Sequence, residues 1–250
     1  MKANVQQLVI ELTRRCNMSC PHCLRGKSQD TEIPFETAKK IIDSFDHIDS
    51  ITFSGGEPTL CEDLIEKIVY YIISEKKDVN GFYMASNGKK FSIRVMTALV
   101  QLYGYIYTSN GYMDECQCCF DISLDQYHSD ISEDNINMLK AFSFVSHRND
   151  IPDTAVIAEG NAVENGIGVR PLNLSKRFYV TREKDESHGN EYELVYVNSK
   201  GNIFPECDFS YDTCDNLLPQ VSILSNKEFD DLVEEYDALL GEEEITENIA

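Results

Sequence analysis

Basic residues are scarce in this chain of 250 residues: 22 Lys and Arg stand against 43 Asp and Glu, a formal net charge of −21 at pH 7. A field of that sign repels phosphate backbones and anionic lipid surfaces, which excludes nucleic acid and membranes as expected partners. Long apolar runs are also missing, and none approaches the roughly 20 residues that span a bilayer. Met1–Ile10 lacks the long apolar core and small-residue cleavage site of an export signal. A cytoplasmic location is therefore expected. Internal repeats and low-complexity linkers are absent, so one large domain, or one with a small appendage, is expected.

What the chain does have is cysteine, nine in all. Without an export signal these point to metal or redox roles before disulfides, and the odd count leaves at least one unpaired in any disulfide scheme. An anaerobic cytoplasm suits them.

Short β-rich runs alternate with helical stretches through the first half. Strands are expected at Gln7–Leu12, Ser50–Ser54, Gly81–Ala85, Phe120–Leu124 and Thr154–Ala158. Helices are expected at Phe35–His47, Glu62–Ser74, Ile93–Tyr103 and Asn135–Val145, the second with Leu64, Ile65, Ile68, Val69 and Ile72 on one face. Such alternation implies parallel βαβ units, in an α/β barrel or a doubly wound sheet. The pattern then changes. Tyr192–Val197 and Ile203–Pro205 flank a turn at 198–202 and read as a hairpin. Asn226–Leu240 reads as an amphipathic helix. From Asn226 to Ala250 ten acidic residues face one lysine, a solvated helix face and tail.

Cys16, Cys20 and Cys23 lie in a C-x3-C-x2-C segment directly after the first expected strand. Three close thiolates suit a cubane cluster with one iron left open to chelate another molecule. In a parallel α/β fold, the loop after a strand lies on the face where active sites are built. The same residues also fit a zinc site with His22 as fourth ligand, and a zinc-stabilised binding module is the non-enzymatic alternative. The second strand ends in Gly55-Gly56-Glu57-Pro58. Two glycines let backbone approach a ligand closely, and a carboxylate can pair with an ammonium group.

These two motifs, in this order and with a ring residue (His22) before the third cysteine, resemble the radical S-adenosylmethionine (SAM) superfamily. The resemblance covers roughly residues 7–166. It implies an enzyme, an oxidoreductase in the broad sense, with a [4Fe–4S] cluster on Cys16, Cys20 and Cys23. Its open iron binds SAM, and an electron from the cluster breaks SAM to a 5′-deoxyadenosyl radical that takes hydrogen from substrate. The resemblance implies SAM contacts at Gly55, Gly56, Glu57 and Pro58, at Ser86 and Asn87 after the third strand, and at Ser123 and Asp125 after the fourth. Asn161 is expected as a further SAM contact, an uncharged one, since it stands where several members carry an arginine. Cys61, Tyr127 and His128 are candidates for the substrate side.

The implied architecture is a partial (β/α)6 TIM-like barrel over residues 1–185. A short α+β extension over 186–250, hairpin and acidic helix, covers it. Val197–Cys207 resembles the opening of a SPASM/twitch extension, but only Cys214 follows, so an auxiliary cluster looks incomplete. Cys116, Cys118 and Cys119 precede the fourth strand and should lie on the face opposite the cluster. The expected partners are a peptide or small-molecule substrate and a low-potential electron donor of flavodoxin or ferredoxin type. With Cys16 so near the start, no leader-peptide recognition domain is expected before it. A glycyl-radical activase, docking through the acidic helix, and a small-molecule enzyme like 7-carboxy-7-deazaguanine synthase are the enzymatic alternatives.

Overall fold

The computed structural model describes residues 2–109, 117–169 and 175–241. The chain runs β1 (Ala3–Thr13), α1 (Phe35–Asp43), β2 (Phe45–Gly55), α2 (Glu62–Ser74), β3 (Asp78–Val79), β4 (Gly81–Ser86) and α3 (Ile93–Ser109). It continues through β5 (Gln117–Ser123), α4 (Glu133–Leu139), β6 (Val145–Arg148), α5 (Asn161–Glu164), β7 (Val180–Arg182), β8 (Glu191–Val197), β9 (Ile203–Phe204) and α6 (Phe229–Leu240). One sheet has the order β6-β5-β4-β2-β1-β8-β7. Every neighbouring pair from β6 to β8 is parallel, and β7 joins β8 antiparallel at the far edge. The sheet does not close; it is the mostly parallel α/β arc of a partial barrel.

Alternation along the strands explains the arc. Leu8, Ile10, Ile51, Phe53, Phe82, Met84, Phe120 and Ile122 are buried in one core with the apolar stripes of α1, α2 and α3. Successive strand side chains point to opposite faces, so the other face carries Gln7, Thr52, Tyr83, Cys119, Asp121 and Ser123. Polar groups there bond across strands. Asp121 accepts hydrogen bonds from the Tyr83 hydroxyl at 3.3 Å and the Ser146 hydroxyl at 2.6 Å, and pairs with Arg148 Nε at 2.8 Å. The concave side of the arc is therefore polar, where a closed barrel would be filled with branched apolar residues.

Three expectations are corrected. The first helix stops at Asp43 rather than His47, because Phe45 already pairs with Ala3 in the β1–β2 ladder. Helix α4 ends at Leu139, and Val145, expected as its last residue, opens β6 beside β5. Thr154–Ala158 is not a strand: Pro152 leads into a single 3₁₀ turn at Asp153–Ala155, and Ile157 keeps one bridge, to Val169. Proline's fixed φ and the turn bond from Ala155 N to Pro152 O compete successfully with local β propensity.

The hairpin of β8 and β9 forms as expected, with Gly201 at φ +85° in its turn. Its placement was not anticipated, since β8 lies parallel to β1 within the main sheet. Helix α6 docks behind it, where Phe229 packs against Phe45 and Tyr192, and Tyr236 against Phe178 and Phe204.

Candidate functional site

At the C-terminal ends of the parallel strands lies a cavity of about 410 Å³. Cys16, Cys20, His22 and Cys23 form one wall, and the 52–58 segment another. Ser86, Asn87, Ser123, Asp125, His128 and Arg148 add to its polar lining. The sequence places these groups far apart; parallel strand ends bring them together.

The Gly55-Gly56-Glu57 turn is built against the start of the cysteine loop. Gly56 N donates to Thr13 O at 2.8 Å and Glu57 N to Arg15 O at 2.9 Å. A Cβ on Gly55, which sits at φ +142°, would lie 2.2 Å from Thr13 O, and one on Gly56 2.4 Å from Arg15 O. The close approach these glycines permit is thus to neighbouring backbone, and it locks two motif loops together.

Glu57 is buried, 1% exposed. Its Oε1 accepts from Thr59 N (3.1 Å), Thr59 Oγ1 (2.6 Å) and Ser86 Oγ (2.9 Å), and its Oε2 from Asn87 N (2.8 Å). One carboxylate therefore fastens the β2 turn to the end of β4. Asn87 reaches on toward the cysteine loop, with Nδ2 2.8 Å from Asn17 Oδ1 and 3.8 Å from Cys16 Sγ.

The cysteine loop is held from two further sides. Asn161 N donates to Cys23 O at 2.9 Å and its side chain to Cys20 O at 3.1 Å; Asn165 reaches Pro21 O at 3.2 Å. Gly160, at φ +53°, comes so close that a Cβ would lie 2.4 Å from Leu24 O. Asn161 thus meets the backbone of the loop and is not among the residues lining the cavity. Arg14, fully buried, bonds Glu11 through Nε at 2.7 Å and grips Asp215 with two nitrogens at 2.7 and 3.0 Å. Tyr211 N donates to Arg25 O at 3.1 Å. The C-terminal segment around 209–217 thereby braces the loop.

The three thiols are half-buried and form no disulfide. Burial pushes Cys20 up to about 11, reinforced by Cys23 and Cys16, and also raises Cys16. Their thiolates need a nearby positive charge, such as iron, to become stable. Among the described residues, one trio of potential metal-ligand side chains gathers its donor atoms within 4.8 Å, and it is His22, Asp125 and His128, not the cysteines. A structural zinc site takes four protein ligands, whereas three unpaired thiols on one cavity wall suit a cubane cluster with one iron left open. His22 turns away from the thiols and stacks on Tyr127, centroids 4.3 Å apart, with His128 edge-on at 5.2 Å. It is therefore not placed as a fourth ligand.

The other expected residues divide. Pro58 lines the cavity with Ser123, Asp125 and His128. Tyr127 stands behind His22, its hydroxyl on Asp153. Cys61 is buried outside the lining, 3.3 Å from Glu32 Oε2 and 3.9 Å from the Arg15 guanidinium; burial and then Glu32 push its thiol up to about 11. Cys118 and Cys119 line a separate pocket with Gln6, Asp49 and Glu193 toward the opposite strand ends. Cys116 lies outside the described residues. Burial pushes Cys207 and Cys214 up to about 12. Arg25, Arg148 and Asp208 line the cavity and were not anticipated; for Arg148 the polar alternation through Asp121 and Ser123 was the available signal.

Residues 10–107 match the family model of the Radical SAM superfamily. The chain is 39% identical over 86 residues to an uncharacterized protein of Methanocaldococcus jannaschii, covering 33% of this chain and 30% of that one. It is 28% identical over 130 residues to the mycofactocin maturase MftC of Mycolicibacterium smegmatis, covering 50% of this chain and 29% of the maturase. The chain thus spans under a third of these relatives. Among solved structures, native anSMEcpe with bound AdoMet and Cp18Cys peptide superposes with a TM-score of 0.52 at 12% identity, covering 94% of this chain and 82% of that one. That likeness supports the fold. No described helix is long and apolar enough to cross a membrane.

Proposed function

We propose, from the match of residues 10–107 to the Radical SAM family model, that this chain is a radical SAM enzyme that binds a [4Fe–4S] cluster on Cys16, Cys20 and Cys23 and SAM in the adjoining cavity. When bound, the cluster would supply the electron that splits SAM into methionine and a 5′-deoxyadenosyl radical able to take hydrogen from substrate. The observation carrying this reading is convergence: the three thiols, the Glu57 turn and the polar ends of β4 and β5 line one cavity.

The chain's own residues supply position and exclusion of water. Glu57 Oε1 is filled by three donors, whereas among the described residues Oε2 accepts Asn87 N alone, which leaves it capacity for the ammonium group of SAM. Ser86, Asn87 and Ser123 offer further polar contacts along the same wall. Asn161, Asn165 and Gly160 hold the cysteine loop in register beneath them. We divide the chain into the barrel, residues 1–185, and a C-terminal part, 186–250, whose Tyr211 and Asp215 brace that loop.

A peptide is the substrate class favoured. The peptide held by anSMEcpe and the name maturase borne by MftC support it. A low-potential flavodoxin- or ferredoxin-type protein would deliver the electron. The test is anaerobic reconstitution with iron and sulfide, then assay of 5′-deoxyadenosine from SAM under a low-potential reductant. Wild type yields 5′-deoxyadenosine and a Cys16→Ala/Cys20→Ala/Cys23→Ala variant does not. A folded, iron-loaded wild type that never cleaves SAM, alone or with peptide, overturns the reading.

A further inference from the structure

One group in the cavity is not needed by the cluster or by the Glu57 turn. His22, Asp125 and His128 bring one donor atom each to within 4.8 Å of one another, on the wall formed by the end of β5 and the cysteine loop. His128 Nδ1 lies 2.7 Å from Asp125 Oδ1, and Asp125 is only 5% exposed. Asp125 is fixed further by Tyr127 N at 3.0 Å. His22 Nδ1 is buried and makes no hydrogen bond. A buried ring nitrogen without a partner forfeits a hydrogen bond to water and calls for an explanation. Its ring is held by the stack on Tyr127, so the nitrogen is not free to swing into solvent.

We propose that His22, Asp125 and His128 form a binding site for a single divalent transition-metal ion, separate from the cysteine site. Two imidazoles and one carboxylate are the ligand set of mononuclear zinc and non-haem iron centres. Bonds of about 2.1 Å at tetrahedral angles place donor pairs about 3.4 Å apart. Closing from as much as 4.8 Å thus takes up to about 1.4 Å of side-chain movement. The ion would lie against the buried Asp125 carboxylate, and ligation through Nδ1 would give the orphaned His22 nitrogen its partner. Three ligands leave coordination positions open toward the cavity, which also admits Arg25 and Asp208. The ligand fitting those positions is a substrate bearing a carboxylate, hydroxyl or other heteroatom donor, anchored beside the SAM pocket. The cations lining the same cavity are Arg148, paired with Asp121, and Arg25.

The inference stands without the SAM-cleaving function, and its test requires neither cluster nor SAM. Cobalt(II) is titrated into the Cys16→Ala/Cys20→Ala/Cys23→Ala variant, with bound metal measured per chain and ligand type read from the visible spectrum. One ion per chain with nitrogen and oxygen ligands is expected, and adding His128→Ala should weaken binding by more than about 100-fold. If that triple variant keeps its circular dichroism but binds no ion, or binds one that His128→Ala leaves unchanged, the site does not exist. Should that variant not fold, metal analysis of the cluster-reconstituted wild type after zinc addition decides instead. One zinc beside an unchanged iron content, lost in His128→Ala, supports the site; equal zinc in both proteins refutes it.

Discussion

Glu57→Gln tests whether the carboxylate of the second motif is a clamp in its own right, before any cofactor binds. Glutamine keeps the size and shape of the side chain but turns one acceptor oxygen into an NH₂ donor. Four donors converge on the native group, from Thr59 N, Thr59 Oγ1, Ser86 Oγ and Asn87 N. With the amide oxygen in the Oε1 position, the NH₂ faces Asn87 N–H, donor against donor; the flipped amide faces three donors and is worse. A hydrogen bond to a charged group contributes about 1.5–3 kcal/mol, and a buried unsatisfied donor costs about 1–3 kcal/mol. The residue is almost entirely buried, so solvent cannot rescue the orphan. We expect a loss of about 2–4 kcal/mol, a large part of the total for a domain with stability of about 5–15 kcal/mol. Urea unfolding of the cluster-free protein, followed by circular dichroism, reads it. At a slope near 3 kcal/mol/M the midpoint should fall by about 1 M with the slope unchanged. A midpoint within about 0.3 M of wild type would refute the clamp, because the donors would then be satisfied without the second oxygen.

Three more outcomes follow from the same geometry. Gly160→Ala puts a methyl 2.4 Å from Leu24 O and 2.5 Å from Gly26 N at φ +53°; it should cost about 3 kcal/mol and reduce iron uptake on reconstitution, measured by iron per chain. Asp43 is held at about 2, since Lys39, Lys77 and the Tyr71 hydroxyl outweigh the burial that opposes ionisation. Its contribution is full above the ordinary value of 3.8 and disappears as pH falls toward 2, so Asp43→Asn should lower stability at neutral pH by about 1–2 kcal/mol and flatten that acid limb of a stability–pH curve. Cys61→Ala should leave the rate of 5′-deoxyadenosine formation within about twofold of wild type, because the thiol faces Arg15 and Glu32 and not the cavity; a tenfold loss would place it in the chemistry.

The residues of both motifs could be read without coordinates because their chemistry is local. Cys16, Cys20 and Cys23 lie within eight residues, and Gly55-Gly56-Glu57 are contiguous, so spacing alone carries the donor set. The alternation of apolar and polar positions likewise determined the parallel α/β class, since strand and helix periods are set by backbone geometry. Segment ends were less legible. Phe45 and Val145 fit a helical stripe, and only the ladders with Ala3 and Phe120 make them strand residues.

What tertiary structure alone decided is how distant parts meet. Asn161 stands 141 positions from Cys20 and Asp215 201 from Arg14, and no local period signals that one caps the cysteine loop or that the other neutralises its buried arginine. The insertion of β8 beside β1 was equally hidden, because a hairpin's sequence encodes its turn and not the edge it will join. The trio of His22, Asp125 and His128 is of the same kind. Each residue can be singled out within its own segment, but the donor set exists only because the cysteine loop folds back over the end of β5. Local sequence determines what a segment presents, through dihedral preferences and side-chain chemistry. The packing of strand ends around one cavity determines which of those groups face each other, because burial and hydrogen-bond satisfaction are summed over the whole chain.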